Sequence, residues 1–195
     1  MNADEQQLWQ RVQRGDEPAF RQLYQQHAPY LLNYGLRLHG SLAAAEDCLQ
    51  ELFLELWQYR QTLTQPASVR FYLLKAFRNR LNARYRRDRP LVSGWDDEQL
   101  TPFSIEPSAE QRLIELDMDD ALRRRVQQAL AGLSPRQREI LYLRYFNDLS
   151  YEQICELLQI NYQTARSQVY QALKALRNHT RYDWLGVFSL VFFRF

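Results

Sequence analysis

Between residues 70 and 89 the chain carries eight basic residues and one acid. Lys75, Asn79, Asn82 and Arg86 recur there at intervals of four, three and four, so on a helix they form one polar stripe. Cations in such a stripe hold phosphates, and Phe71 and Tyr72 beside it have ring faces on which unpaired bases stack. The plainer alternative is a basic face kept for solubility, with both rings buried against another helix. A second polar face lies near the C-terminus. Gln163, Thr164, Ser167, Tyr170, Gln171 and Lys174 fall outward on a helix whose inner side is Ala165, Val169, Ala172, Leu173 and Leu176, with Arg166 at the edge. Amides, hydroxyls and a guanidinium near a helix start can reach base edges and phosphates in a major groove, although a solvated bundle face has the same pattern. A third set, Asp47, Gln50 and Glu51, shares one side of a helix, either as a solvated surface or as a docking face for a basic partner.

Catalytic chemistry finds no support. His27, His39 and His179 are isolated, and there is no Gly-rich phosphate loop and no nucleophile motif. Asp117, Asp119 and Asp120 sit where a linker enters a helix, favourable to the helix dipole, with no His or Cys nearby in sequence. No catalytic residue, metal site or cofactor is therefore expected. Cys48 and Cys155, far apart and beside apolar residues, read as core thiols in a reducing compartment. Without a secretory leader pattern or an apolar stretch of the roughly 18 residues that span a bilayer, the expectation is a cytoplasmic protein with no membrane insertion.

The elements that must position these faces are helices. With 46% apolar residues but only 6 Gly and 7 Pro, and with Leu far outnumbering the β-branched residues, the expected class is all-α. Ala45, Cys48, Leu49, Leu52, Phe53 and Leu56 give a helix over 42–59 one buried face, and Leu73, Leu74, Phe77, Leu81 and Tyr85 do the same over 69–87. Ser108–Gln111, Ser134–Gln137 and Ser150–Gln153 match capping boxes, the second strengthened by Pro135. Ile154, Leu157 and Leu158 then run into a break at 159–161, after which Asn161 can cap a helix over 162–178. That pair reads as a helix-turn-helix. The net charge of +2 hides a pattern: +4 over 1–90 (13 basic, 9 acidic), −8 over 91–120 (1 and 9) and +6 over 121–195 (11 and 5). The reading is two small helical domains, 1–90 and 119–180, joined by an acidic linker, 91–118, and followed by an apolar tail, 181–195.

At these residues the chain resembles the bacterial sigma-70 family, in particular the small two-domain sigma factors of the extracytoplasmic-function group. Ala19-Phe-Arg-Gln-Leu-Tyr24, the run from Ala45 to Trp57 and Phe71-Tyr-Leu-Leu-Lys-Ala-Phe-Arg-Asn79 resemble the family's first domain. Leu133-Ser-Pro-Arg-Gln-Arg-Glu139, Leu149-Ser-Tyr-Glu-Gln-Ile154, Thr164-Ala-Arg-Ser167 and Ala172-Leu-Lys-Ala-Leu-Arg177 resemble its second. The resemblance implies an initiation factor without catalytic chemistry whose partners are core RNA polymerase and promoter DNA. By it, Asp47, Gln50 and Glu51 dock the polymerase. Phe71, Tyr72, Lys75, Arg78, Asn79, Asn82 and Arg86, with the loop from Thr62 to Ser68, recognise and open the −10 element. Gln163, Thr164, Arg166, Ser167, Gln168, Tyr170, Gln171 and Lys174 read the −35 element, and the acidic linker follows the polymerase's RNA path among basic walls.

Two departures stand out. Gln168 and Gln171 occupy positions where many relatives carry Arg, which implies weaker phosphate holding and a preference for adenine through bidentate amides. The apolar tail from Trp184 to Phe195 either folds back on the last helices or offers a patch to an anti-sigma factor, another partner protein or a second copy. Two rival readings remain. A response-type regulator shares the helix-turn-helix but needs a sensor domain in front of it, and a helical adaptor predicts no salt-dependent DNA binding.

Overall fold

The computed structural model describes residues 3–88, 103–104, 128 and 130–179. They belong to two compact units, Met1–Gly94 and Trp95–Phe195. Every regular element among the described residues is helical. The Ser108–Gln111 capping box, the acids Asp117, Asp119 and Asp120, and the apolar tail lie outside the described residues.

The first unit contains α1 (Ala3–Gln13), α2 (Glu17–His39), α3 (Leu42–Gln58) and α4 (Val69–Asp88). Short polar side chains start three of them. The Asp16 carboxylate accepts the Ala19 N–H at 3.0 Å, the Ser41 hydroxyl the Ala44 N–H at 3.3 Å, and the Ser68 hydroxyl the Phe71 N–H at 3.2 Å. α2 stops at Gly40, whose φ of 73° places it in the left-handed region while its N–H donates to the Leu36 carbonyl. The core joins Trp9 of α1, Leu23, Leu31 and Tyr34 of α2, Leu49 of α3, and Leu73, Leu74 and Phe77 of α4. Gly35 permits the closest approach: a Cβ there would lie 2.9 Å from the Phe77 ring and 3.0 Å from the Ala45 Cβ, so only a bare backbone lets α2 touch α3 and α4 at this point.

The second unit contains α5 (Pro135–Leu141), a π-helical turn (Tyr142–Phe146), α6 (Tyr151–Leu158) and α7 (Tyr162–His179). The capping boxes at Ser134 and Ser150 are both closed in each direction. Asn161 accepts the Thr164 N–H at 2.7 Å and starts α7. Between α6 and α7, Gln159 adopts a φ of 54°, which turns the chain sharply enough to set one helix across the other. Ile140, Leu141, Ile154, Leu157, Ala165, Val169 and Ala172 fill the space between the helices. Arg136 ties α5 to the end of α6, pairing with the buried Glu139 at 3.3 Å and donating to the Leu158 carbonyl at 2.7 Å. Phe103, read from sequence as part of the linker, is fully buried in this unit. Its ring packs 5.4 Å from that of Tyr142, and its carbonyl accepts from Arg138 at 3.3 Å. A lone aromatic in a polar stretch has no periodicity, so nothing local announces that it joins a core.

Candidate nucleic-acid and protein interfaces

The stripe expected on α4 lies on the side of the helix away from its buried arc. Asn79 and Arg86 are exposed, while Lys75 and Asn82 are half-buried. Asn82 is held by the His39 ring nitrogen at 3.2 Å, and His39 in turn stacks on Tyr85 at 4.2 Å. Arg78 differs from the expectation. It is buried, and its Nε donates to the Tyr34 hydroxyl at 3.0 Å, so this guanidinium braces α4 against α2 instead of standing out on the stripe. Phe71 is half-buried; Tyr72 is 36% exposed and meets Trp9 of α1 edge-on at 5.6 Å. Thus α1 supports the aromatic side of α4. It also holds the loop before α4, with Gln10 on Gln65 at 3.2 Å and the Gln13 amide on the Leu63 carbonyl.

Asp47, Gln50 and Glu51 are all exposed on α3. They do not form a purely outward acidic stripe, because Asp47 pairs with Arg84 of α4 at 2.9 Å. Glu55, one turn beyond Glu51, pairs with Arg80 of α4. Opposite charges on the facing flanks of α3 and α4 therefore neutralise each other in part, and Gln50 and Glu51 are left at the outer edge. Beside Gln50 lies a groove of about 520 Å³ between α2 and α3, lined by Phe20, Tyr24, Phe53, Leu54 and Trp57, with Glu17 and Arg21 at its rim. Phe20 packs against Trp57 at 4.8 Å and Tyr24 against Phe53 at 4.9 Å, which makes its wall aromatic, while Leu54 is 70% exposed. The sequence reading missed this groove, although Phe53 is buried as expected and lines its floor. The signal available was Leu54 and Trp57, two large apolar residues outside the core arc of α3.

On α7, Gln163, Arg166, Ser167, Tyr170, Gln171 and Lys174 are exposed, with Thr164 and Gln168 half-buried. Ala165, Val169, Ala172 and Leu176 are buried as expected, whereas Leu173 is only half-buried. The Gln171 amide donates to the Ser167 hydroxyl at 3.2 Å, one turn away. Tyr170 is 66% exposed. At the start of the helix Tyr162 meets Tyr151 edge-on at 5.6 Å, and the Arg166 guanidinium lies 6.0 Å from the Tyr162 ring centre.

Two titratable groups, His27 and Cys48, are buried inside the first unit. Burial, with Arg70 nearby, pushes His27 down to about 4, and its closest carboxylate, Glu5, stands 3.9 Å from Nε2. Burial raises the Cys48 thiol, so it stays protonated and unreactive. Among the described residues no cluster of three or more His, Cys, Asp or Glu is arranged to hold a metal ion. None of the described helices is long and apolar enough to cross a membrane.

With this geometry in place, comparison with known proteins identifies relatives of both units. Residues 23–90 match the family description Sigma-70 region 2, and residues 123–176 match Sigma-70, region 4. The chain is 34% identical over 163 residues to the ECF RNA polymerase sigma factor SigL of Mycobacterium tuberculosis, spanning 80% of this chain and 86% of that protein. It is 25% identical over 179 residues to SigK of Mycobacterium bovis, spanning 91% of this chain and 94% of that one. Among solved structures, CnrH in complex with the cytosolic domain of CnrY aligns with a TM-score of 0.55 and 18% identity over 89% of this chain and 94% of that one. The sigma factor RpoE of Bartonella quintana, bound to the anti-sigma factor NepR, aligns with a TM-score of 0.55 and 20% identity over 84% and 98%. At such identities these structures speak for the fold.

Proposed function

Because the chain belongs to the extracytoplasmic-function sigma factors of the sigma-70 family, whose work is transcription initiation, we propose that its three surface faces divide that work. Gln50 and Glu51 of α3, with Asp47, dock core RNA polymerase, and the aromatic groove beside Gln50 extends the docking face with apolar area. Asn79, Asn82, Arg86 and Lys75 on α4 hold the −10 region, with Tyr72 and Phe71 offering rings to an unstacked base. Exposing such a base costs a few kcal/mol, of which stacking returns about 1–3 kcal/mol. Arg78 serves this face from behind, through Tyr34. The exposed side of α7 enters the major groove at the −35 element, with Gln163, Arg166, Ser167 and Gln171 nearest the bases and Thr164, Gln168, Tyr170 and Lys174 completing the contact. The factor acts without catalytic chemistry of its own, in the cytoplasm, as a subunit that lends the polymerase its promoter preference. By analogy with the solved relative held by an anti-sigma factor, an inhibitory protein partner belongs to this reading, and the apolar tail 184–195 is its proposed contact.

The observation that carries the proposal is the outward polar face of α7 on the second helix of a helix-turn-helix, opposite the buried Ala165, Val169 and Ala172. The test is transcription in vitro with purified core polymerase on a promoter library. Initiation from a defined −35/−10 class is expected. Core polymerase that is active with another sigma factor but starts nowhere specific with this folded chain would overturn the reading. Deleting Tyr182–Phe195 should leave a folded, active factor that no longer binds its protein partner.

A further inference from the structure

Tyr162, the first residue of α7, has no part in the roles assigned above. It is 45% exposed, and the Tyr151 ring, from the first residue of α6, fixes it edge-on at 5.6 Å. One turn along α7, Arg166 directs its guanidinium to the same ring, 6.0 Å from the centre. Behind the pair, Arg144 of the π-helical turn lies 5.3 Å from the Tyr151 ring and donates to the Leu149 carbonyl at 2.8 Å, which anchors that end to the backbone. Arg144, Tyr151, Tyr162 and Arg166 therefore form a continuous row that starts at an anchored cation and ends at an exposed one.

The exposed end is where this matters. A long arginine side chain loses rotamer freedom when it binds, and a planar guanidinium resting on an aromatic face has already given up part of that freedom. Tyr162 and Arg166 are four residues apart, the helical spacing that brings such groups together. Resting on the proposed reading of α7 as the −35 reader, we propose that Tyr162 is a positioning residue for Arg166. Held by Tyr151, its ring presents the guanidinium to promoter DNA at the first turn of α7 and sets the strength and base preference of that one contact.

The test is a double-mutant cycle on the full-length chain reconstituted with core polymerase, read as competitive binding to promoter duplexes bearing single substitutions across the −35 element. Tyr162→Ala is expected to weaken −35-dependent binding about two- to fivefold, the size of an exposed cation–π contact. Its base-preference profile should be a weaker copy of that of Arg166→Ala. Tyr162→Phe, which keeps the ring, should match the parent. In an Arg166→Ala background Tyr162→Ala should cause no further loss. Thermal unfolding checks the fold, and if Tyr162→Ala unfolds, Tyr162→Leu keeps apolar bulk against Tyr151 without a π face and should show the same loss. An undiminished Tyr162→Ala effect in the Arg166→Ala background, or no effect in the parent, overturns the proposal while leaving the promoter reading intact. A parent chain that binds promoters equally well with and without a −35 element overturns that reading and this inference with it.

Discussion

At the scale of single residues, His27 makes the sharpest prediction. It lies on α2, buried toward α1 and α4, edge-on to Tyr30 at 5.7 Å, with Arg70 near and Glu5 at 3.9 Å, outside hydrogen-bond reach. Its folded-state value of about 4 lies below the ordinary 6.5, so the unfolded chain binds the proton more readily. Stability from this residue is full above pH 6.5 and is lost as pH falls toward 4, by up to about 3 kcal/mol. Urea unfolding of the parent and of His27→Gln across this range checks it, since the substituted chain should lose the slope between pH 6.5 and 4. Asp16 contributes in a separate window. The Ala19 N–H and Arg11 hold its carboxyl below the ordinary value of 3.8, so its contribution is present above 3.8 and disappears only in stronger acid. Gly35 predicts a packing effect. Gly35→Ala forces the Phe77 ring and the Ala45 methyl apart and should cost about 1–3 kcal/mol, measured by denaturant unfolding.

At the scale of elements, helix starts were legible because a cap is local chemistry. Ser134, Ser150 and Asn161 cap the helices expected of them, and Ser150→Ala should cost about 1 kcal/mol. The end of α6 is another matter. Gln159 takes a left-handed conformation that glycine adopts without strain, so Gln159→Gly should stabilise the second unit by about 1 kcal/mol and raise its melting temperature. The break at 159–161 was readable in the sequence, but the strain at its first residue was not, because tertiary packing of α6 against α7 demands that backbone angle. The π-helical turn was equally silent. Nothing in Tyr142–Phe146 distinguishes it locally from the continuation of an α-helix.

At the scale of the molecule, ion pairing between helices decides which charges face outward. Arg80 and Arg84 of α4 face Glu55 and Asp47 of α3, leaving Asn79 and Arg86 at the outer surface. Replacing Lys75, Asn79, Asn82 and Arg86 together with Ala should therefore lose promoter opening far more than core polymerase binding, as read by permanganate footprinting beside a core-binding titration. Equal loss of both would mean that the two surfaces are wrongly divided. In the second unit, Lys174→Ala should weaken promoter binding similarly across −35 variants and lower the slope of log affinity against log salt by about 1, the mark of a phosphate contact.

Sequence alone determined that α3 to α7 are helices, where α5, α6 and α7 begin and which sides of α3, α4 and α7 are polar, because periodicity and capping act within a few residues; α1 and α2 it did not announce. Only the tertiary structure decided that Arg78 turns inward to Tyr34, that Asp47 is paired with Arg84, that Phe103 joins the core of the second unit, and that Phe20, Tyr24, Phe53, Leu54 and Trp57 meet as a groove. Each depends on which helix lies opposite. That is settled by the balance of packing and desolvation between residues far apart in the chain, and no local spacing encodes it.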